Sequence, residues 1–395
     1  MKSPKFICTL AFIAASFTLP ASAQTGTAAT SSPAQKQITI GGQPVAKMVR
    51  PRAQSSTKPQ FLEADFLPGR GMNMLQIKAY LPGKGEVLLL ASPSLEDTKA
   101  RLDAPDPYGN EAFKIGGAIL LPYANRILGP LSDDGKSIQA DLAGQRVLLP
   151  ANWKGDNPGA KLHSMHGLIL GATFQNVVLH NGPTNSTLSG LLHAKNFGGH
   201  WPSQTDVKVQ AELKNDVLDL KVTATNVGKE RLPMAIGMHP YFAFPSGDRT
   251  QARVHMPAIT RAPANNYDDT FPLGILEPVK GTRFDFTAEE GRPLGTDFLD
   301  DAFTDLQRNA QGNAEVRVTD PAAKYGIKII AVSKDIKAIQ MYAPSSKNFV
   351  AIEPQYNLSN PYDKKLWGNR DTGVVFLNPG QSTTWHVQFA IYELK

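Results

Sequence analysis

The stretch VKVQAELKNDVLDLKVTATN, residues 207–226, decides the fold class of this chain. Val207, Val209, Ala211 and Leu213 alternate with Lys208, Gln210 and Glu212, the period-two pattern of a strand with one buried face. Lys214-Asn215-Asp216 interrupts it, and Leu218, Leu220, Val222 and Ala224 resume the alternation. Two alternating runs joined by a short polar break read as an antiparallel hairpin.

Similar runs lie on both sides of it. Candidate strands cover 74–80 and 86–90, with the turn Pro82-Gly83-Lys84-Gly85 between them, and 113–121, 145–149, 168–170, 176–180 and 232–244. Further runs follow at 315–319, 326–332, 338–342, 349–352, 373–377 and 382–392, the last after the turn Asn378-Pro379-Gly380-Gln381. Helical periodicity never lasts beyond about three turns, and nothing repeats at a fixed period. The 33 glycines and 30 prolines suit many short strands joined by turns. A length of 395 residues allows two domains, but large β domains also reach such sizes. The expected fold is all-β: one large antiparallel β-sandwich over 58–395, with few short helices.

The N-terminus has the parts of a secretory signal over 1–23. Lys2 and Lys5 precede an apolar run over 6–19, and Ala21-Ser22-Ala23 forms a small-residue cleavage site. The run is too short for a membrane span. The single cysteine, Cys8, lies inside this signal, after Phe6 and Ile7 rather than the small residues that precede a lipidated cysteine. The mature chain then carries no thiol, disulfide or cysteine metal site, which suits a periplasmic or secreted protein of a Gram-negative bacterium, free of the membrane once the signal is removed. Residues 24–57, rich in Ala, Ser, Thr, Gln and Gly, read as a flexible leader with one short strand at 37–40. Removing Lys2 and Lys5 lowers the net charge of +6 by two, and the remaining charges are dispersed. No basic run with interleaved aromatics points to nucleic acid.

Chemistry concentrates in a few places. Glu353 ends the apolar run Phe349-Val350-Ala351-Ile352 and precedes Pro354, the position of either a fixed catalytic base or a turn cap. His239 sits in Gly237-Met238-His239-Pro240-Tyr241-Phe242, where Gly237 permits close approach and Tyr241 and Phe242 supply an apolar wall; the alternative is a histidine satisfied at a strand edge. His166 lies in Met165-His166-Gly167, before an apolar run. Arg126, after Asn125, offers either a planar fork for hydroxyls or an ordinary ion pair. Asp300 and Asp301 fit either hydroxyl binding or a turn cap. His163, His180, His193, His200, His255 and His386 lack comparable context and read as surface or structural. No histidine pair has metal-ligand spacing on a helix, so no metal site is expected.

In one order, Tyr123-Ala124-Asn125-Arg126-Ile127, Met165-His166-Gly167, Gly237-Met238-His239-Pro240-Tyr241-Phe242, Asp300-Asp301-Ala302-Phe303 and Ile352-Glu353-Pro354-Gln355 resemble the motifs of the aldose 1-epimerase (galactose mutarotase-like) family. Leu377-Asn378-Pro379-Gly380 resembles its C-terminal turn. The resemblance spans about 70–395 and departs from the family pattern at Leu168, where a second glycine is usual, and at Pro240, where serine is usual. It implies a β-supersandwich with an open sugar groove and no cofactor. It implies that Glu353 is the general base, His239 the general acid facing it across the sugar ring, and His166 a companion that orients the sugar. Arg126, Asn125 and one of the acidic pair, Asp300 by its spacing, would hold hydroxyls; Gln355 and Asn357 are further groove candidates. The implied partner is a small-molecule sugar, taken by a monomer or homodimer. Two alternatives remain at this level: a non-catalytic carbohydrate-binding protein on the same fold, and an epimerase for a phosphorylated hexose.

Overall fold

A computed structural model describes residues 37–54 and 56–394. The hairpin forms where the alternation places it. Thr205–Leu213 and Val217–Asn226 pair antiparallel, with Val209 opposite Val222 and Ala211 opposite Leu220. Val207, Val209, Leu218, Leu220, Val222 and Ala224 are fully buried on the shared apolar face. The hairpin lies within a nine-stranded sheet, between Ser186–Lys195 on one side and Ser382–Glu393 on the other.

A second, eleven-stranded sheet packs on that apolar face. Its consecutive neighbours include Leu299–Leu306, Ala338–Ala343, Phe349–Gln355, Gly237–Ala243 and Gly117–Leu120, all antiparallel. Phe242 of this sheet meets Phe389 of the other with ring centroids 6.0 Å apart. The Trp385 indole N–H donates across the interface to the Pro354 carbonyl at 3.0 Å. One continuous core thus joins two layers, the arrangement that hides one face of each sheet from water.

The same alternation prepares the outer face. In Phe349–Gln355, Val350 and Ile352 enter the core, so Glu353 points the other way. In Gly237–Ala243, Met238 and Phe242 enter the core and His239 and Tyr241 do not. In Ala338–Ala343, Ile339 and Met341 enter it, leaving Gln340 and Tyr342 on the side of Glu353.

Several expectations need correction. The ordered domain starts before residue 58. Ala46–Val49 pairs with Gln60–Leu67 in the eleven-stranded sheet, and Ile40, Val45, Ala46 and Met48 are buried. These apolar positions are too few to stand out from their Ser- and Gln-rich surroundings. The run 232–244 is two strands: Leu232–Met234 pairs with Val375–Leu377, and after Ala235 and Ile236 the chain enters the eleven-stranded sheet as Gly237–Ala243. The run 168–170 is a turn whose Ile169 and Leu170 pack as core. Within 113–121 only Gly117–Leu120 is strand, preceded by a short 3₁₀ turn over Asn110–Lys114. The helices are few and short, Leu95–Leu102 being the longest described. The signal over 1–23, with Cys8, and the leader up to residue 36 lie outside the described residues.

Candidate active site

Register brings the principal groups together. Gly237 pairs with Gln355 and Tyr241 with Ala351, which sets His239 opposite Glu353 on the neighbouring strand. On the other side of Glu353, Gln340 pairs with it directly. One strand further, Asp300 pairs with Tyr342. His239, Glu353, Gln340 and Asp300 therefore line the floor of one cleft of about 640 Å³, a size typical of small-molecule sites, roughly 300–1,000 Å³.

Arg126, on a two-residue strand, and His166, just after its partner strand, reach the same cleft. Arg126–Ile127 pairs with Ser164–Met165, which makes Arg126 and His166 neighbours. The His166 N–H donates to the Asn125 carbonyl at 2.9 Å. Both Asn125 and His166 have left-handed backbones, with φ of 61° and 62°. That conformation costs a non-glycine residue about 1–3 kcal/mol and persists where its surroundings over-determine it. Gly167 follows with φ of 81°, packed on the Leu121 backbone so closely that a side chain has no room. The segment after Glu353 clamps this loop. Asn357 accepts from the Ala124 N–H at 3.0 Å and donates to its carbonyl at 2.8 Å, while the Asn360 N–H donates to the Arg126 carbonyl at 2.7 Å.

A closed ring of hydrogen bonds joins the cation to the anion. Arg126 Nη1 donates to Asn125 Oδ1 (2.8 Å), whose amide donates to Gln340 Oε1 (3.1 Å), whose amide donates to Asp300 Oδ1 (2.6 Å). On the return path, Arg126 Nη2 donates to Thr270 Oγ1 (2.9 Å), which donates to Asp300 Oδ2 (3.3 Å). Arg126 gives in both directions and Asp300 accepts in both, so two neutral paths connect opposite charges without direct contact. Polar networks of this kind hold each member in one orientation. Arg126 Nε, His166 Nδ1 and Glu353 Oε2 are buried without a partner among the described residues. Buried polar atoms left in this way lose free energy unless a ligand pairs with them.

Glu353 and His239 are almost wholly buried, at 2% and 5% exposure. Glu353 Oε1 lies 3.2 Å from His239 Nε2. Burial raises the carboxyl well above its ordinary value, reinforced by Asp300 and opposed by Arg126. Burial lowers the imidazole to about 3, with Arg126 acting in the same sense. Burial thus disfavours the charged form of both groups, the carboxylate and the imidazolium. His166 is also kept neutral, by burial first, then by His239 and Arg126. Its ring packs edge-on against His239 with centroids 5.2 Å apart and rests on Phe113 at 4.8 Å.

Glu353, His239, His166, Arg126, Asn125 and Asp300 all line the cleft. Asp301 does not; it is held by Arg261 Nη1 at 2.7 Å and by the Tyr267 hydroxyl at 2.8 Å. Glu353 and His239 do not face each other across a space for a sugar ring, since their contact leaves none between them; they stand side by side on the floor. Gln355 and Asn357 are not among the lining residues: Gln355 packs against Gly237, and Asn357 holds the Ala124 backbone. Gln340 and Thr270 were not anticipated. A lone amide inside the run Ala338-Ile339-Gln340-Met341 was the available signal for the first; Thr270 lies in a loop and had none. His163 is buried against the Lys161 carbonyl, while His193 and His386 pair with Asp206 and Asp219; none of the three lines the cleft.

A family model described as Aldose 1-epimerase matches residues 90–390. Among solved structures, a galactose mutarotase-like protein from Clostridium acetobutylicum superposes with a TM-score of 0.68 at 18% identity, covering 89% of this chain and 99% of that one. A GalM/aldose epimerase homologue from C. elegans gives 0.65 at 17% identity, and galactose 1-epimerase from Lactobacillus acidophilus NCFM gives 0.62 at 14%, each with the same coverage of both chains. At these identities the likeness is one of fold: the two-sheet arrangement is the galactose mutarotase-like β-sandwich.

Proposed function

Because the chain belongs to the aldose 1-epimerase family, we propose that it interconverts the α and β anomers of a free aldose by acid–base opening and closing of the sugar ring. The observation that carries this reading is the side-by-side pair Glu353–His239, with Oε1 and Nε2 3.2 Å apart at the floor of a polar cleft. Opening a hemiacetal needs one proton delivered to the ring oxygen and one removed from the C1 hydroxyl. Both oxygens are bonded to C1, so an acid and a base that touch each other match them better than groups on opposite walls.

The proton balance closes. In the reacting form the proton is on His239 and Glu353 is ionised, the form that burial disfavours and that contact with the sugar has to stabilise; His239 then protonates the ring oxygen while Glu353 takes the proton of the C1 hydroxyl. The C1–O5 bond breaks and C1 becomes an aldehyde. Rotation about C1–C2 presents its other face, and the two transfers run backwards, so the pair ends as it began. Each transfer contributes on the order of 10²–10⁴-fold. Arg126 and His166, which line the cleft, are the residues we assign to hold sugar hydroxyls, with Asn125 and Asp300 in the hydrogen-bonded ring beside them. A pre-set ring of donors and acceptors fixes the sugar without reorganising during the reaction.

The cleft mouth mixes Lys114, Lys154 and Lys347 with Asp156 and Asp268. This balance favours a neutral sugar over a phosphorylated one, which a cluster of one sign would attract. The secretory features of residues 1–23 support a periplasmic or secreted enzyme, tested by locating the tagged protein after cell fractionation. The activity itself is tested by two-dimensional exchange NMR on glucose, galactose, xylose and arabinose. Acceleration of α–β exchange by the protein supports the reading, and saturable binding without acceleration of any aldose contradicts it.

A further inference from the structure

Two loops meet at the mouth of the cleft. The first runs from Asn152 to His163 and brings Trp153, Lys154, Gly155 and Asp156 to the lining. Its base is closed, because Trp153 and His163 pair through backbone hydrogen bonds of 3.2 and 2.9 Å. Asn152 ties the same base to Met165, whose N–H donates to Asn152 Oδ1 at 2.8 Å, and to Asn110. The second loop runs between Ala264 and Pro272, which bridge each other, and brings Tyr267, Asp268 and Thr270 to the lining. It is braced from within: Asn265 accepts from the Phe271 N–H, and Asn266 accepts from the Asp268 and Asp269 N–H groups.

The tip of the first loop lacks such a frame. Its own bond is a single turn, from the Ala160 N–H to the Asn157 carbonyl at 3.1 Å. Among the described residues, the only hydrogen bonds that leave 154–160 both end on Asp268. The Asp156 N–H donates to its Oδ1 at 2.7 Å and the Asn157 N–H to its Oδ2 at 3.0 Å. Hydrogen bonds to an ionised acceptor are stronger than those between neutral groups. Gly155 lets the chain pass this carboxylate. Its backbone is not left-handed, but a Cβ there would overlap Asp268, whose carboxyl supplies the three nearest atoms.

We propose that Asp268 is a positioning residue for substrate binding: its carboxylate fastens the 154–157 backbone at the cleft mouth, so that the sugar meets a wall already in place. The inference rests on the reading of the cleft as an aldose site. A loop ordered before binding does not add the cost of its ordering to the binding step. The catalytic floor lies on sheet strands, and the loop tip makes no hydrogen bond to Glu353 or His239. Thr270 keeps its place through the Asn265 and Asn266 braces. Loosening the clasp therefore acts on binding and leaves the proton transfers alone.

Amide hydrogen exchange and anomer-exchange kinetics on the wild type, Asp268→Ala, Asp268→Asn and Gly155→Ala test this. In the sugar-free wild type the Asp156 and Asn157 amides are expected to be protected, and in Asp268→Ala to exchange about tenfold faster. KM for the aldose rises about tenfold in Asp268→Ala with kcat unchanged, the mark of lost uniform binding. Asp268→Asn keeps one acceptor oxygen and falls between the two. Gly155→Ala pushes a methyl against the carboxylate and raises KM in the same way. In the double variant Gly155→Ala/Asp268→Ala the methyl no longer meets the carboxylate, so KM stays at the value of Asp268→Ala. A further rise in the double variant overturns the clasp. Unprotected amides in the wild type, or a KM that Asp268→Ala leaves unchanged, overturn it as well. A fall in kcat at constant KM contradicts a role in binding. A wild type that exchanges no anomers while both amides are protected overturns the aldose reading and leaves the clasp standing.

Discussion

Glu353 and His239 occupy opposed positions on adjacent antiparallel strands, and their reactive atoms are 3.2 Å apart in a buried floor. Burial works in opposite directions on the two groups: it disfavours the carboxylate and the imidazolium alike. The strand pairing delivers this arrangement without any loop having to close.

The pH dependence of activity follows from the same directions. Only the singly protonated pair works. A second proton is added as pH falls towards the His239 value of about 3, and the shared proton is lost as pH rises past the raised Glu353 value. Activity, read as kcat/KM by polarimetry, is therefore expected to show no acid limb until the pH falls towards about 3, and to decline on the alkaline side as the raised Glu353 carboxyl loses its proton. An acid limb near pH 6.5, the ordinary histidine range, would show that His239 is not held in the apolar setting described here.

Gln340 is expected to matter although it performs no proton transfer. Its amide links Asn125 to Asp300, and Gln340→Leu opens one path of the ring between Arg126 and Asp300. The loss leaves the buried Asn125 amide and the part-buried Asp300 carboxyl short of a partner, at roughly 1–3 kcal/mol. Steady-state kinetics should show kcat/KM lower by about tenfold or more, with the pH profile unmoved. Unchanged kcat/KM would mean that the ring does not orient the sugar.

The two adjacent aspartates should separate cleanly. Asp301 is fully buried against Arg261 and Tyr267, so Asp301→Ala removes an acceptor from both while Arg261 keeps Glu277, and is expected to cost about 1–3 kcal/mol of stability, the range for buried donors left short of a partner. Asp300→Ala removes the acceptor of the ring and should act chiefly on kcat/KM. Denaturant melts and kinetics on both variants check this. The reverse assignment, with Asp300 stabilising and Asp301 kinetic, would contradict the geometry.

Much of this was legible in the sequence because a strand writes its burial in period two. Residues 207–226 announce their hairpin, and the core positions of 349–352 leave Glu353 on the outer face. The opposition of His239 and Glu353 was not legible, since register between strands more than a hundred residues apart depends on the whole sheet. That is why the two were expected on either side of a sugar rather than in contact. Thr270 and Gln340 escaped notice for a related reason: a hydroxyl in a loop and an amide in an apolar run acquire meaning only when Asp300 and Arg126 are brought beside them. Ala46–Val49 was read as leader because four residues carry too little pattern to outweigh their composition.

The central claim is that Glu353 and His239 together move the protons of an aldose. Exchange NMR on wild-type protein and Glu353→Gln, with sugar binding measured on the same samples, tests it most directly. The account predicts accelerated α–β exchange by the wild type and a loss on the order of 10²–10⁴-fold in the variant, with sugar still bound. Equal exchange rates for the two proteins would contradict it.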